Sequence, residues 1–340
     1  MKRILIRRPG GHEALHLVEE PDPQPAAGQV RVRVRAAGVN YADAIVRMGY
    51  YEAAKGLYPM TPGFEFAGSV DAVGAGVTRF REGDRVVGFT RFGAYASSIA
   101  VQERQLHPCP EGWDFADCAA LPAVYLTAYH ALFKVAKVEP GETLLVHSAA
   151  GGVGTALLQL GRVAGCKSLA VVGAPHKAAL CRELGAEAVI DRSSQDLWAE
   201  VERHAPGGVD AIFDANGVTT LRKGFEHLAH GGRLVVYGFA DILPRGKAGP
   251  SLKSLVNYLR VPKFSPLAMT TTNRAVMGFN VVFLFHKLEI ADKGMGDLLR
   301  WIGEGKIRKV PVTLFPLERA ADAHRAIESG TTTGKLVLTA

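Results

Sequence analysis

The stretch Leu144–Leu160, LLVHSAAGGVGTALLQL, decides the architecture. With Thr143 before it, TLLVHS is a continuous apolar run, the form of a strand buried on both faces. A glycine turn follows, and TALLQLGRVAG then repeats apolar residues with a helical period. Strand, glycine turn and helix in that order are the setting of a dinucleotide-binding turn. Glycines let the backbone approach a pyrophosphate, and the helix N-terminus presents unpaired N–H groups and the positive end of its dipole. The candidate contacts are Ser148, Gly151, Gly152, Val153 and Gly154; Ser148 stands where the G-x-G-x-x-G pattern begins with glycine. A tight turn without a ligand has the same local form, so the sequel must weigh the two.

The sequel is an alternation: SLAVVG, KAALCRELG, AEAVID, DLWAEVERH, VDAIFDANG, FEHLAHGG, RLVVYG. Strand and helix in steps of this length predict an α/β fold with a parallel, doubly wound sheet. Gly185 and Gly231 sit where helix C-terminal glycines belong. Before residue 122 the signals are strands and turns. QVRVRVRAAGV alternates Val30, Val32 and Val34 with Arg31, Arg33 and Arg35, a strand with one wet face. Short apolar runs follow, so a small barrel or sandwich is expected. After Asp241 the rhythm breaks. Residues 241–275 hold six bases (Arg245, Lys247, Lys253, Arg260, Lys263, Arg274), the single acid Asp241 and a short apolar stripe, Leu252, Leu255, Val256 and Leu259. VMGFNVVF then reads as a strand, ERAADAHRAIE as a helix and GKLVLTA as a last strand.

The 340 residues suffice for two domains, and 48% hydrophobic with 21% charged is the composition of a soluble enzyme. A net charge of +7 permits an anionic partner without demanding one, and no feature points to nucleic acid. Cys109, Cys118, Cys166 and Cys181 are isolated, which fits a reducing, cytoplasmic compartment. The apolar run Ile4-Leu5-Ile6 is too short for a signal sequence, and no stretch has transmembrane length.

An NAD-binding sheet ends its second strand with an acid, about 20 residues after the turn, that holds the ribose 2′-OH. Here Gly173 closes SLAVVG, and Lys177 and Arg192 follow. Without the acid a 2′-phosphate is not repelled, and the two cations offer it charge, so NADPH is the expected cofactor. The competing reading makes Lys177 a helix-start residue and Arg192 a solvated loop charge.

The stretches AAGVNYAD, PGFEFAGSVDAVGAGV, FREGDRVVG, AALPAVYLTAYHAL, HSAAGGVG, ELGAEAVID, GGRLVVYG and TGKLVL together resemble the medium-chain dehydrogenase/reductase superfamily. Within it the chain resembles the zinc-independent quinone oxidoreductase branch, and residues 237–280 are similar to vesicle amine transport protein homologues. The resemblance implies a GroES-like, barrel-like catalytic domain over 1–122, completed by 286–340. It also implies a Rossmann domain over 123–285, with the basic insertion 241–275 inside it. Zinc-dependent members carry Cys and His where this chain has Asn40 and Phe64; Glu65 alone remains, too few ligands for zinc. Without zinc, oxidation of a simple alcohol loses a pKa shift worth about 12 kcal/mol. Hydride addition to a quinone or enone spreads its charge by conjugation and needs less help. The resemblance places Asn40 by the nicotinamide and Tyr51 in the substrate pocket, with Tyr51 as proton donor if the substrate is a 2-enoyl thioester. It places Thr127, Gly151, Gly152, Val153, Lys177, Arg192, Asn216, Phe239 and Lys335 against the cofactor. A homodimer paired through GFNVVF is expected. The basic segment is read as a lid or packing element in preference to a membrane-facing patch, the feature a cofactor-binding interaction protein would use.

One motif points elsewhere. His12-Glu13-Ala14-Leu15-His16 matches H-E-x-x-H, the zinc-protease pattern, which needs both His one turn apart on a helix. Gly10-Gly11 before it and EEPDPQP after it favour a hairpin strand. There the two His stand about 13 Å apart, too far to share a metal.

Overall fold

The computed structural model describes residues 1–242, 252–284 and 287–340, and the elements and counts below are those of the described residues. They divide into two compact units: 1–126 with 282–340 less the two undescribed positions, and 127–242 with 252–281.

In the first unit β1 (Lys2–Ile6) and β2 (Leu15–Glu19) form an antiparallel pair. The remaining N-terminal strands are β3 (Gln29–Val39), β4 (Glu65–Val73), β5 (Arg85–Phe89), β6 (Ser98–Gln102) and β7 (Leu106–Pro108). In β3 the Val/Arg alternation works as read. Val30, Val32 and Val34 are buried, while Arg31 and Arg33 both pair with Asp71 of β4 on the outer face.

The second unit is the doubly wound sheet. Its strands are β8 (Thr143–Val146), β9 (Lys167–Val172), β10 (Ala188–Asp191), β11 (Val209–Asp214), β12 (Leu228–Val236) and β13 (Ala275–Gly278). Their order is β10-β9-β8-β11-β12-β13, and every pair is parallel. The order reverses between β8 and β11, so the carboxyl ends of these strands form the crevice where such folds bind ligands. Leu145, Leu169, Ile190, Ile212 and Leu234 give the sheet its buried core. The chain then returns to the first unit with β14 (Val312–Pro316) and β15 (Lys335–Thr339). These extend the first sheet as β14-β15-β3-β4-β5-β7, with β6 also on β3.

Three expectations are corrected. Gly231, with φ +82, lies inside β12 at a register shift against β11, so its left-handed backbone serves a bulge instead of a helix end. VMGFNVVF is a strand only to Gly278; Val281–Leu284 coils into a 3-10 turn, so the apolar run is not one edge strand. His12 lies in a 3-10 turn, His12–Ala14, and only Leu15–Glu19 is strand. Of the basic segment, positions 243–251 lie outside the described residues. The helix Leu252–Leu259 exposes Leu255, Val256 and Leu259. The helix Leu288–Gly303, not expected from the sequence, carries Gly294, Gly296 and Gly303 and buries Met295 and Leu298. No described helix is long and apolar enough to cross a membrane.

Candidate functional site

The glycine turn lies at the carboxyl end of β8, at the switch in strand order. Ser148 has φ +53, the left-handed region that favours glycine. Its hydroxyl donates to the Asn216 side-chain oxygen at 3.1 Å, tying the turn after β8 to the turn after β11. Gly151 caps the helix Gly152–Val163. Gly154 packs its Cα on the turn itself: a Cβ there would stand 2.4 Å from the Ser148 carbonyl oxygen and 2.5 Å from Ala149 Cα. At Gly151 the nearest atom to such a Cβ is 3.3 Å away. Gly154→Ala is therefore expected to cost about 1–3 kcal/mol of stability, and Gly151→Ala much less, read by thermal unfolding. Equal effects would show that the turn is not packed this tightly.

Asn216 is held by a residue that sequence reasoning missed. Asp214, fully buried, accepts from the Asn216 and Gly217 N–H groups at 2.7 and 3.0 Å and from the Thr220 hydroxyl at 2.5 Å. The available signal was the Asp-x-Asn-Gly series at a strand end, an Asx-turn composition. Phe239, at 41% exposure, lies over Gly217, whose φ of +99 and lack of a side chain make the room. Thr127 is half-buried in the helix Pro122–Tyr129.

At the neighbouring strand ends, Gly173 follows β9 and Arg192 follows β10. The Arg192 guanidinium passes over Gly173, 3.7 Å from where a Cβ would stand. Partial burial lowers the Lys177 pKa, and the nearby Arg192 charge lowers it further. Asp191, the nearest acid in sequence, is turned into its own loop, accepting from the Ser193 N–H and hydroxyl at 2.9 and 2.7 Å. Two cations thus share a corner whose adjoining carboxylate is otherwise engaged.

The first unit builds its own cluster. Glu65 of β4 and Lys335 of β15 are buried, at 0% and 2% exposure, with Lys335 Nζ 2.6 Å from Glu65 Oε1. Asn40, preceding the helix Tyr41–Met48, joins both: its Nδ2 donates to Glu65 Oε1 at 2.8 Å, and Lys335 Nζ donates to its Oδ1 at 2.6 Å. The Ala123 N–H donates to Glu65 Oε2 at 2.7 Å. Lys335 can only donate, so the amide orientation of Asn40 is fixed. One Nδ2 hydrogen then remains unpaired among the described residues. Gly38 of β3 makes the cluster possible, because a Cβ there would sit 2.4 Å from Glu65 Oε1.

Phe64 is buried in an aromatic group, 5.8 Å from the Tyr51 ring and 5.4 Å from Phe92. Tyr51 thus joins Phe64 and Phe92, and Ala123, whose N–H donates to Glu65, packs on the same apolar cluster. These positions offer a single carboxylate, already neutralised by an ammonium, and do not fit a zinc ion, which takes three or four protein ligands. Among the described residues no group of three or more His, Cys, Asp or Glu is placed to hold a metal. In the H-E-x-x-H match, His16 is exposed and His12 Nε2 lies 3.2 Å from Glu328.

A sheet of order 3-2-1-4-5-6 with a glycine turn at its switch point, in a chain that also has a GroES-like unit, is the architecture of the medium-chain dehydrogenases and reductases. Residues 26–111 match the alcohol dehydrogenase GroES-like domain family, and residues 184–338 the zinc-binding dehydrogenase family. The chain is 35% identical to the synaptic vesicle membrane protein VAT-1 homolog of Rattus norvegicus over 333 residues, 97% of this chain and 81% of that protein. Its fold matches Escherichia coli quinone oxidoreductase complexed with NADPH at a TM-score of 0.86, with 28% identity over 100% of both chains. It also matches the CurK enoyl reductase at 0.83, with 26% identity over 99% of this chain and 98% of that one. The chain belongs to the medium-chain dehydrogenase/reductase superfamily, among the VAT-1 homologues.

Proposed function

We propose that this protein is a zinc-independent, NADPH-dependent oxidoreductase that transfers hydride to a quinone or another conjugated carbonyl. The observation that carries the reading is the locked amide of Asn40, with one N–H left to donate. Hydride addition to a conjugated carbonyl moves negative charge onto oxygen, and a preorganised donor aimed at that oxygen stabilises it as it forms. The product phenolate has a pKa near 10, as in tyrosine, so a single neutral donor and a proton from solvent complete the reduction to hydroquinone.

NADPH, when bound, supplies the hydride. The chain's own residues bind and orient: the turn Ser148–Gly154 and the N-terminus of the helix after it take the pyrophosphate, and Lys177 and Arg192 take the 2′-phosphate. Asn216 and Phe239 flank the switch point, and Tyr51, Phe64 and Phe92 offer flat apolar surface to a planar ring. The likeness to an enoyl reductase supports a second reading, reduction of 2-enoyl thioesters with the Tyr51 hydroxyl as acid. NADPH oxidation measured with 1,4-quinones, simple enones and enoyl-CoA separates the two. Turnover of quinones and enones well above enoyl-CoA is expected; the opposite ranking replaces the first reading by the second, and oxidation no faster than without substrate removes both.

A further inference from the structure

Around Asn40 a second set of buried polar side chains has no part in the reading above. Asp43, one turn into the helix Tyr41–Met48, is fully buried and accepts three hydrogen bonds. The donors are the Asn40 N–H at 2.8 Å, the Gly63 N–H at 2.9 Å and the Tyr95 hydroxyl at 3.1 Å. The Tyr95 oxygen lies 3.4 Å from His324 Nε2, on the helix Ala320–Ser329. His324 Nδ1 in turn lies 3.2 Å from an Arg47 nitrogen, and that nitrogen also donates to Glu328 at 2.7 Å.

The direction of every link follows from the first. A guanidinium only donates, so His324 Nδ1 accepts and carries no proton. Burial, with the Arg47 charge beside it, holds the His324 pKa well below its ordinary value, so the ring is neutral. A neutral imidazole with bare Nδ1 bears its hydrogen on Nε2 and donates it to the Tyr95 oxygen. The single hydroxyl hydrogen of Tyr95 is then committed to Asp43. Arg47, His324 and Tyr95 form a chain of donors aimed at one carboxylate.

The geometry points to Arg47, His324 and Tyr95 as positioning residues that keep Asp43 an acceptor for the Asn40 main-chain N–H, and so hold the Asn40 backbone where Lys335 and Glu65 orient its side-chain amide. The inference rests on the assignment of Asn40 to the reacting end. Asp43 must be ionised to serve all its donors, because a protonated oxygen displaces one of them. Burial raises its pKa to about 7, against the Asn40 and Gly63 amides, Tyr95 and Lys335, which pull it down. The titratable groups acting on it are Tyr95 and Lys335 of β15, and Tyr95 in turn is faced by Glu65 of β4, Arg47 of the helix Tyr41–Met48 and His324 of the helix Ala320–Ser329. Of these His324 and Tyr95 are neutral there, the latter because burial and Asp43 raise its pKa well above the ordinary phenol value. The sign follows: turnover through Asn40 is full above about pH 7 and falls as Asp43 protonates below it.

Tyr95→Phe tests the chain, since it removes the hydroxyl and keeps the ring. Two readouts are followed against pH: kcat with NADPH and a 1,4-quinone, and the Asp43 carboxyl resonance in 13C-aspartate-labelled protein, assigned by its loss in Asp43→Asn. Both inflections are expected to move up by roughly one pH unit, with KM for NADPH unchanged. His324→Gln, which keeps a donor toward Tyr95, is expected to shift them less than His324→Leu, and this pair serves if the Tyr95 variant does not fold. A carboxyl titration that stays in place, or a kcat profile that stays in place while the carboxyl moves, overturns the proposal. A wild-type protein that reduces no conjugated carbonyl sinks the proposed function instead, and the carboxyl titration then decides the donor chain alone.

Discussion

Lys335→Met is expected to destabilise the first unit by about 3–5 kcal/mol, a melting-temperature loss of roughly 10 °C. The substitution leaves the Glu65 carboxylate buried with only neutral donors, Asn40 Nδ2 and the Ala123 N–H. Glu65→Gln reverses the fault, leaving the Lys335 ammonium buried without its carboxylate and with only neutral acceptors, Asn40 Oδ1 among them. Each single change breaks a pair, whereas Glu65→Gln with Lys335→Met removes both charges together. The double variant is therefore expected to be less destabilised than the sum of the two singles, by more than 1 kcal/mol. Thermal and denaturant unfolding of the four proteins close the cycle. Additive losses would mean that the two side chains do not form the pair described.

Arg192→Ala is expected to lower kcat/KM for NADPH by about 10- to 100-fold and to leave the value for NADH nearly unchanged. A charge-assisted hydrogen bond to a phosphate is worth about 1.5–3 kcal/mol, and only NADPH carries the 2′-phosphate. The guanidinium already lies over Gly173 beside Lys177, and the Asp191 carboxylate is engaged by Ser193. Gly173→Asp is expected to act in the same direction, placing a carboxylate against both the phosphate and its cations. Steady-state kinetics with both cofactors give the answer. Equal losses for NADPH and NADH would assign Arg192 a structural role, and a wild-type preference for NADH would remove the phosphate corner altogether.

Much of the second unit was legible because its signals are local. A buried parallel strand is a continuous apolar run, a helix has its own period, and each of β8 to β12 follows from a stretch of fewer than ten residues. The edge was harder: VMGFNVVF has strand composition throughout, yet the chain leaves the sheet after Gly278, and apolar composition carries no signal for where pairing stops. Gly231 shows the same limit in a turn. Left-handed backbone was readable from the glycine, but a helix end and a strand bulge make the same demand on it.

The first unit divides differently. Asn40 and Lys335 could be named from motif position, but nothing in AAGVNYAD or TGKLVL says that the two side chains meet. They lie 295 positions apart and are joined because β15 pairs antiparallel with β3, whose end carries Asn40. Asp43, Tyr95, His324 and Arg47 gave no signal at all, since each is an unremarkable polar residue until tertiary packing buries it beside the others.

By itself, then, the sequence determined the sheet of the second unit, the glycine turn at its switch point and the missing acid after β9, all properties of short stretches. Only the tertiary structure decided that Gly38 leaves space for the Glu65 carboxylate, that the Asn40 amide has one orientation, and that a buried donor chain ends on Asp43. Burial is what turns these polar residues into a site: in water each would be satisfied alone, whereas away from water each must find its partner in another part of the chain.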